Sequence, residues 1–124
     1  MTETTRSEAV FFDSAADFRR WLEANHATAA ELWVAYHKKA SGRRGMTYAE
    51  AVEEALCFGW IDGLTRGRDE QSYVQRFTPR RRGSNWSEPN IRRAHELIAA
   101  GRMRPAGLAA FEVRSRSSAG GESR

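Results

Sequence analysis

The sequence predicts an α+β fold, with a small antiparallel sheet that includes a hairpin near residues 60–78 and is packed by about four helices. Three observations lead there. Segments with three- and four-residue apolar spacing interleave with short alternating segments, so helices and strands are mixed along the chain. Residues 60–65 and 72–78 form two alternating runs around a Gly- and Asp-containing connection, which reads as a hairpin and argues against an all-parallel sheet. A chain of 124 residues with 40% hydrophobic content and four Trp has the size and composition of one domain around one modest core.

Taken in order, residues 1–9 are polar and are expected to be frayed, the domain proper spans 10–113, and 114–124 reads as a disordered polar tail. Val10, Phe11 and Phe12 form a brief strand or extended anchor. Asp13 or Ser14 then caps a helix through Asn25, because a side-chain oxygen there accepts from the orphan amides of the first turn. Phe18, Trp21 and Leu22 share its inner side. Residues 31–39 are the clearest strand, apolar on both faces and so expected inside the sheet. Gly42 and Gly45 mark a flexible loop. Thr47 and Glu50 match a capping box, opening a helix that buries Ala51, Val52, Ala55 and Leu56, exposes Glu50, Glu53 and Glu54, and stops near Gly59.

The hairpin follows, and Pro79 closes its second strand. Residues 80–86 read as an exposed loop. Ser87 caps the next helix, with Glu88 and Pro89 in its first turn, Ile91, Ala94, Leu97 and Ile98 as its apolar stripe and Gly101 at its end. A last short helix starts at Pro105 and returns Leu108 and Phe111 to the core. No internal repeat is present.

Charge concentrates the functional signal. The net charge is +4 and the pI about 9.8, which favours anionic partners. Between Arg76 and Arg93 six arginines face one acid, Glu88. Arg80, Arg81 and Arg82 lie just before a helix N-terminus, where unpaired amides and a partial positive charge suit phosphate or carboxylate. Guanidinium groups add bidentate donors for such oxyanions. Ser84, Ser87 and Asn90 bring neutral hydrogen bonds, and Trp86 brings a flat surface for a base or other ring. Set against this is a basic solvated loop, with Trp86 tucked inward as a plug and Ser87 acting only as a cap. Trp60 and Asp62 complete the candidate site, although a structural salt bridge or turn cap is the plainer role for Asp62 and general base the minority one. Cys57 reads as a packed small hydrophobe. His26, His37 and His95 lack metal-ligand spacing, so neither a metal nor a cofactor is expected. There is no glycine-rich phosphate loop and no nucleophile elbow.

The segments FFDSAADFRRWLEANH, ELWVAYHKK, TYAEAVEEALCFGWIDG, FTPRRRGSNWSEPN and RMRPAGLAAFE together resemble the YdeI/OmpD-associated family, the bacteriocin-protection proteins. The resemblance covers residues 10 to 112, without that family's usual basic helical C-terminal segment. It implies a part in bacteriocin or envelope-stress tolerance and no established catalytic activity, so no catalytic residue transfers. Trp60, Asp62, Arg80, Ser84, Trp86, Ser87 and Asn90 belong to its signature stretches.

The expected function is a small bacterial binding domain that holds a phosphorylated small molecule or a nucleic-acid backbone. The alternatives are a protein-interaction module in stress tolerance, working through an exposed aromatic patch, and an enzyme acting on a small anionic substrate through Asp62. A single cysteine, no membrane-length apolar run and an N-terminus without a signal-peptide pattern point to the cytoplasm.

Overall fold

Local signals set most of the element boundaries. In the computed structural model, which describes residues 8–81 and 86–122 with side chains as far as Val113, the order is β1 (Val10–Phe11), α1 (Ala15–Asn25), β2 (Leu32–His37), α2 (Tyr48–Cys57), β3 (Trp60–Asp69), β4 (Ser72–Pro79), α3 (Glu88–Ala99) and α4 (Pro105–Glu122). A 3-10 turn, Lys39–Ser41, follows β2. The fold is α+β.

Ser14 caps α1, its Oγ accepting from the Asp17 amide at 3.2 Å. Thr47 and Glu50 form the full capping box of α2: the Glu50 amide donates to Thr47 Oγ1 at 3.1 Å and the Thr47 amide to Glu50 Oε1 at 2.9 Å. Each reciprocal bond satisfies an amide that the first turn leaves without an intrahelical acceptor. Gly59, at φ 77°, supplies the left-handed residue that turns the chain from α2 into β3.

The sheet order is β1-β2-β4-β3. β2, β4 and β3 are antiparallel, with Val34 opposite Gln75 and Ile61 opposite Thr78. The antiparallel sheet expected from the sequence is therefore extended at one edge, since β1 pairs parallel to β2 and makes the sheet mixed. The cause is connectivity: α1 carries the chain back, so the two strands it joins run the same way. The hairpin turn also falls later than expected. Residues 66–69 are strand, and the chain reverses at Glu70 and Gln71. Asp69 anchors that turn, its Oδ1 accepting from the Gln71 amide and from Ser72 Oγ, both at 2.8 Å.

One face of the sheet carries the core. Leu32, Val34 and Tyr36 of β2 and Phe77 of β4 join Trp60, the buried stripes of α1 and α2, Ala94 and Leu97 of α3, and Phe111 of α4. Because strand side chains alternate, Trp33, Ala35, Arg76 and Thr78 lie on the other face. Ala35 and Val74 are buried there, outside the main cluster.

Three details depart from the sequence reading. Glu54 is buried, not exposed, and accepts from Arg19 Nη1 at 2.7 Å and from Arg102 Nη2 at 2.8 Å. Two guanidinium groups from distant parts of the chain compensate its carboxylate, which is the condition for burying a charge. Leu108 faces solvent while Phe111 alone of that pair is buried, because the first turns of α4 press their small residues onto the end of α2. The backbone of α4 continues as helix to Glu122 over residues expected as an irregular tail from 114. Residues 1–7, expected to be frayed, lie outside the described residues.

Candidate anion-binding groove

The end of β4 and the start of β3 build a groove of about 650 Å³, lined by Ala30, Ile61, Arg76, Thr78, Arg80 and Arg81. Pairing places these residues together. Trp60 opposes Pro79 and Ile61 opposes Thr78, so Ile61, Thr78 and Arg76 project from the face away from the core while Trp60 and Phe77 project into it. The Arg80 amide donates to the Gly59 carbonyl at 2.9 Å, which keeps the chain against β3 for one residue past the strand.

The three arginines are held differently. Arg76 Nε donates to Glu31 Oε1 at 2.6 Å in a half-exposed ion pair. Arg80 lies with its guanidinium carbon 3.9 Å from the Trp86 ring centroid, a close cation–π stack. Burial pushes its pKa down to about 10, an effect the nearby Asp62 charge opposes, and at neutral pH it remains a cation. Arg81 is exposed. Trp86 is half-buried, packed on the core and edge-on to Phe111 at 5.3 Å.

Asp62 points to the core side of β3. Its Oδ2 accepts from the Tyr48 hydroxyl at 3.0 Å and, at 3.4 Å, from Gln75 Nε2. Gln75 Oε1 in turn accepts from the Tyr36 hydroxyl at 2.9 Å. Burial pushes the Tyr36 phenol far above its usual range, with the charges of Tyr73, Tyr48 and Asp62 adding to the effect. Burial and the bond to Asp62 raise Tyr48. The carboxylate of Asp62 is thus an acceptor for neutral donors that hold two tyrosines in place. At α3, Ser87 Oγ accepts from the Asn90 amide at 3.2 Å, and Asn90 Oδ1 accepts from Arg93 Nη1 at 2.9 Å.

A family profile for a domain of unknown function, DUF8412, matches residues 10–110. The chain belongs to the DUF8412 family. No curated protein and no solved structure matches it. The groove, Asp62 with its partners and the start of α3 all fall within the DUF8412 span.

Within this DUF8412 domain the sequence-predicted site residues divide. Arg80 and Arg81 line the groove, and Trp86 supports Arg80 from beneath. Ser87 and Asn90 serve the start of α3, where Ser87 is the cap. Trp60 is a core residue, 1% exposed, whose indole Nε1 donates to the His26 carbonyl at 3.2 Å. Asp62 lines a hydrogen-bonded chain and not the groove. Arg82 and Ser84 lie outside the described residues.

Arg76, which the sequence places in the basic cluster but not in the site, lines the groove together with Ile61 and Thr78, which carry no charge to mark them. Their signal was the two-residue period of β4, which puts Arg76 and Thr78 on one side and directs that side away from Phe77. Among the described residues no group of three or more His, Cys, Asp or Glu could hold a metal ion, and no helix is long and apolar enough to cross a membrane.

Proposed function

We propose that this domain is a binding module for a phosphate-bearing anion seated in the groove of Arg76, Arg80 and Arg81. One observation carries the reading: three guanidinium side chains line a single groove, and one of them is already fixed against an aromatic ring. Guanidinium forks match phosphate oxygens in pairs, and a pre-positioned side chain loses less freedom on binding. The groove volume, about 650 Å³, lies in the range of small-molecule sites. A phosphodiester backbone presents the same oxygens in series, so a nucleic-acid strand is the polymeric form of the same ligand. The resemblance of residues 10 to 112 to the YdeI/OmpD-associated family extends the proposal to a role in bacteriocin or envelope-stress tolerance.

Calorimetry with ribose 5-phosphate, a phosphate without an aromatic ring, and anisotropy with a short single-stranded oligonucleotide test the reading, using wild type and Arg76→Ala/Arg81→Ala. Each charge-assisted hydrogen bond contributes about 1.5–3 kcal/mol, so the double variant should bind at least about tenfold more weakly. A nucleic-acid ligand adds a steep fall of affinity with salt, which the variant makes shallower. Equal affinity for both proteins would remove the groove from consideration and favour a protein partner.

A further inference from the structure

A second cleft, of about 340 Å³, opens beyond the C-terminal end of β2, beside the first turn of α2. It shares no lining residue with the arginine groove. Three tyrosines line it. Tyr36 and Tyr73 are stacked, with ring centroids 5.0 Å apart and planes at 29°, and Tyr48 meets Tyr36 edge-on at 6.4 Å. Lys39, Arg43 and Arg44 also line the cleft; all three are exposed, and among the described residues no acidic side chain lines it with them. Among the described residues none of these three cations takes part in a salt bridge.

Two of the tyrosines are held by hydrogen bonds as well as by packing. Tyr36 donates to Gln75, Gln75 to Asp62, and Asp62 also accepts from Tyr48, so one chain of hydrogen bonds fixes two rings of the three. Gln75 is 1% exposed, and a buried amide is tolerated only when its partners are in place. The network therefore orients Tyr36 and Tyr48 through their hydroxyls. Tyr73 makes no hydrogen bond through its hydroxyl among the described residues, and it lines the cleft, where a ligand would find it. Rigid aromatic surfaces accept flat rings, and unpaired cations beside them accept a negatively charged group.

We propose that this cleft is a second binding site, for an aromatic monophosphate. The flat ring rests against Tyr48 and Tyr73, and the phosphate is held by Lys39, Arg43 and Arg44. This site does not depend on the arginine groove, and its test keeps the two apart.

The experiment titrates AMP, phenyl phosphate, adenosine and inorganic phosphate into the full chain, following the tyrosine ring resonances by NMR and taking each affinity for the cleft from their titration curves, since groove binding does not move them. Both aromatic phosphates should shift Tyr48 and Tyr73 and bind at least about tenfold more tightly than either adenosine or inorganic phosphate. Lys39→Ala/Arg43→Ala/Arg44→Ala changes only exposed side chains, so it should keep the fold while AMP falls to the affinity of adenosine. Arg76→Ala/Arg81→Ala should leave the tyrosine shifts unchanged. The proposal is overturned if the tyrosine resonances stay still, if inorganic phosphate binds as well as AMP, or if the triple variant binds AMP like wild type. Loss of the tyrosine shifts in the Arg76/Arg81 variant would equally overturn it, by assigning them to the groove.

Discussion

Arg80 stacks on Trp86 with its guanidinium carbon 3.9 Å from the ring centroid, and Trp86 in turn meets Phe111 of α4 edge-on at 5.3 Å. A groove cation is thereby coupled to the core through one indole. Trp86→Ala should remove the stack, the contact with Phe111 and part of the packing around α4. Substitutions of this kind in full cores cost about 3–5 kcal/mol, and a half-buried Trp should fall near the lower end. Urea unfolding of the variant measures the loss. Because Arg80 would also lose its support, anion affinity should drop even under conditions where the variant is fully folded.

Gly107 gives a second prediction. A Cβ on it would lie 2.3 Å from the Cys57 carbonyl oxygen and 2.7 Å from that of Leu56, both backbone atoms at the end of α2. The Arg104 amide donates to the same Cys57 carbonyl at 2.9 Å, so this oxygen cannot easily retreat. Gly107→Ala gains about 1 kcal/mol of helix propensity, which would stabilise an unconstrained helix. Overpacking costs about 1–3 kcal/mol and against backbone should exceed that gain, so the variant should unfold at lower urea than wild type.

Asp69 links the hairpin turn to pH. Hydrogen bonds from the Gln71 amide and Ser72 Oγ, aided by Arg68, hold its carboxyl below the usual aspartate range. A folded-state pKa lower than the unfolded one means that this contribution to stability is present above the unfolded pKa and is lost as pH falls through the folded value. Carbon-detected NMR titration should place the Asp69 midpoint below that of an ordinary exposed aspartate. Asp69→Asn, which keeps an acceptor oxygen in the turn, should flatten that part of the acid unfolding profile.

Much of this was legible in the sequence where the cause is local. Thr47 with Glu50 and Ser14 with Asp17 are contacts across three residues, and the sequence announces such caps directly. The alternation of β4 told which residues share a face. What was illegible came from contacts far along the chain. Glu54 looked like a solvated face residue because its partners, Arg19 and Arg102, stand 35 and 48 residues away. Trp60 looked like a site residue beside Asp62, yet its indole bonds to the His26 carbonyl across 34 residues. The tyrosine cleft was hidden for the same reason: Tyr36, Tyr48 and Tyr73 come from β2, α2 and β4, and only the pairing of Tyr36 with Tyr73 brings two of them side by side.

The most direct measurement on the arginine groove is a phosphate titration followed residue by residue in amide NMR spectra. Inorganic phosphate should move the amides of Ile61, Thr78 and Arg81 along one saturating curve in wild type. In Arg76→Ala/Arg81→Ala those shifts should fall to background, while the apo stability stays within about 1 kcal/mol, as expected for exposed and half-exposed arginines. Amides of the groove that stay still in wild type, or that saturate at the same phosphate concentration in the variant, would contradict the account.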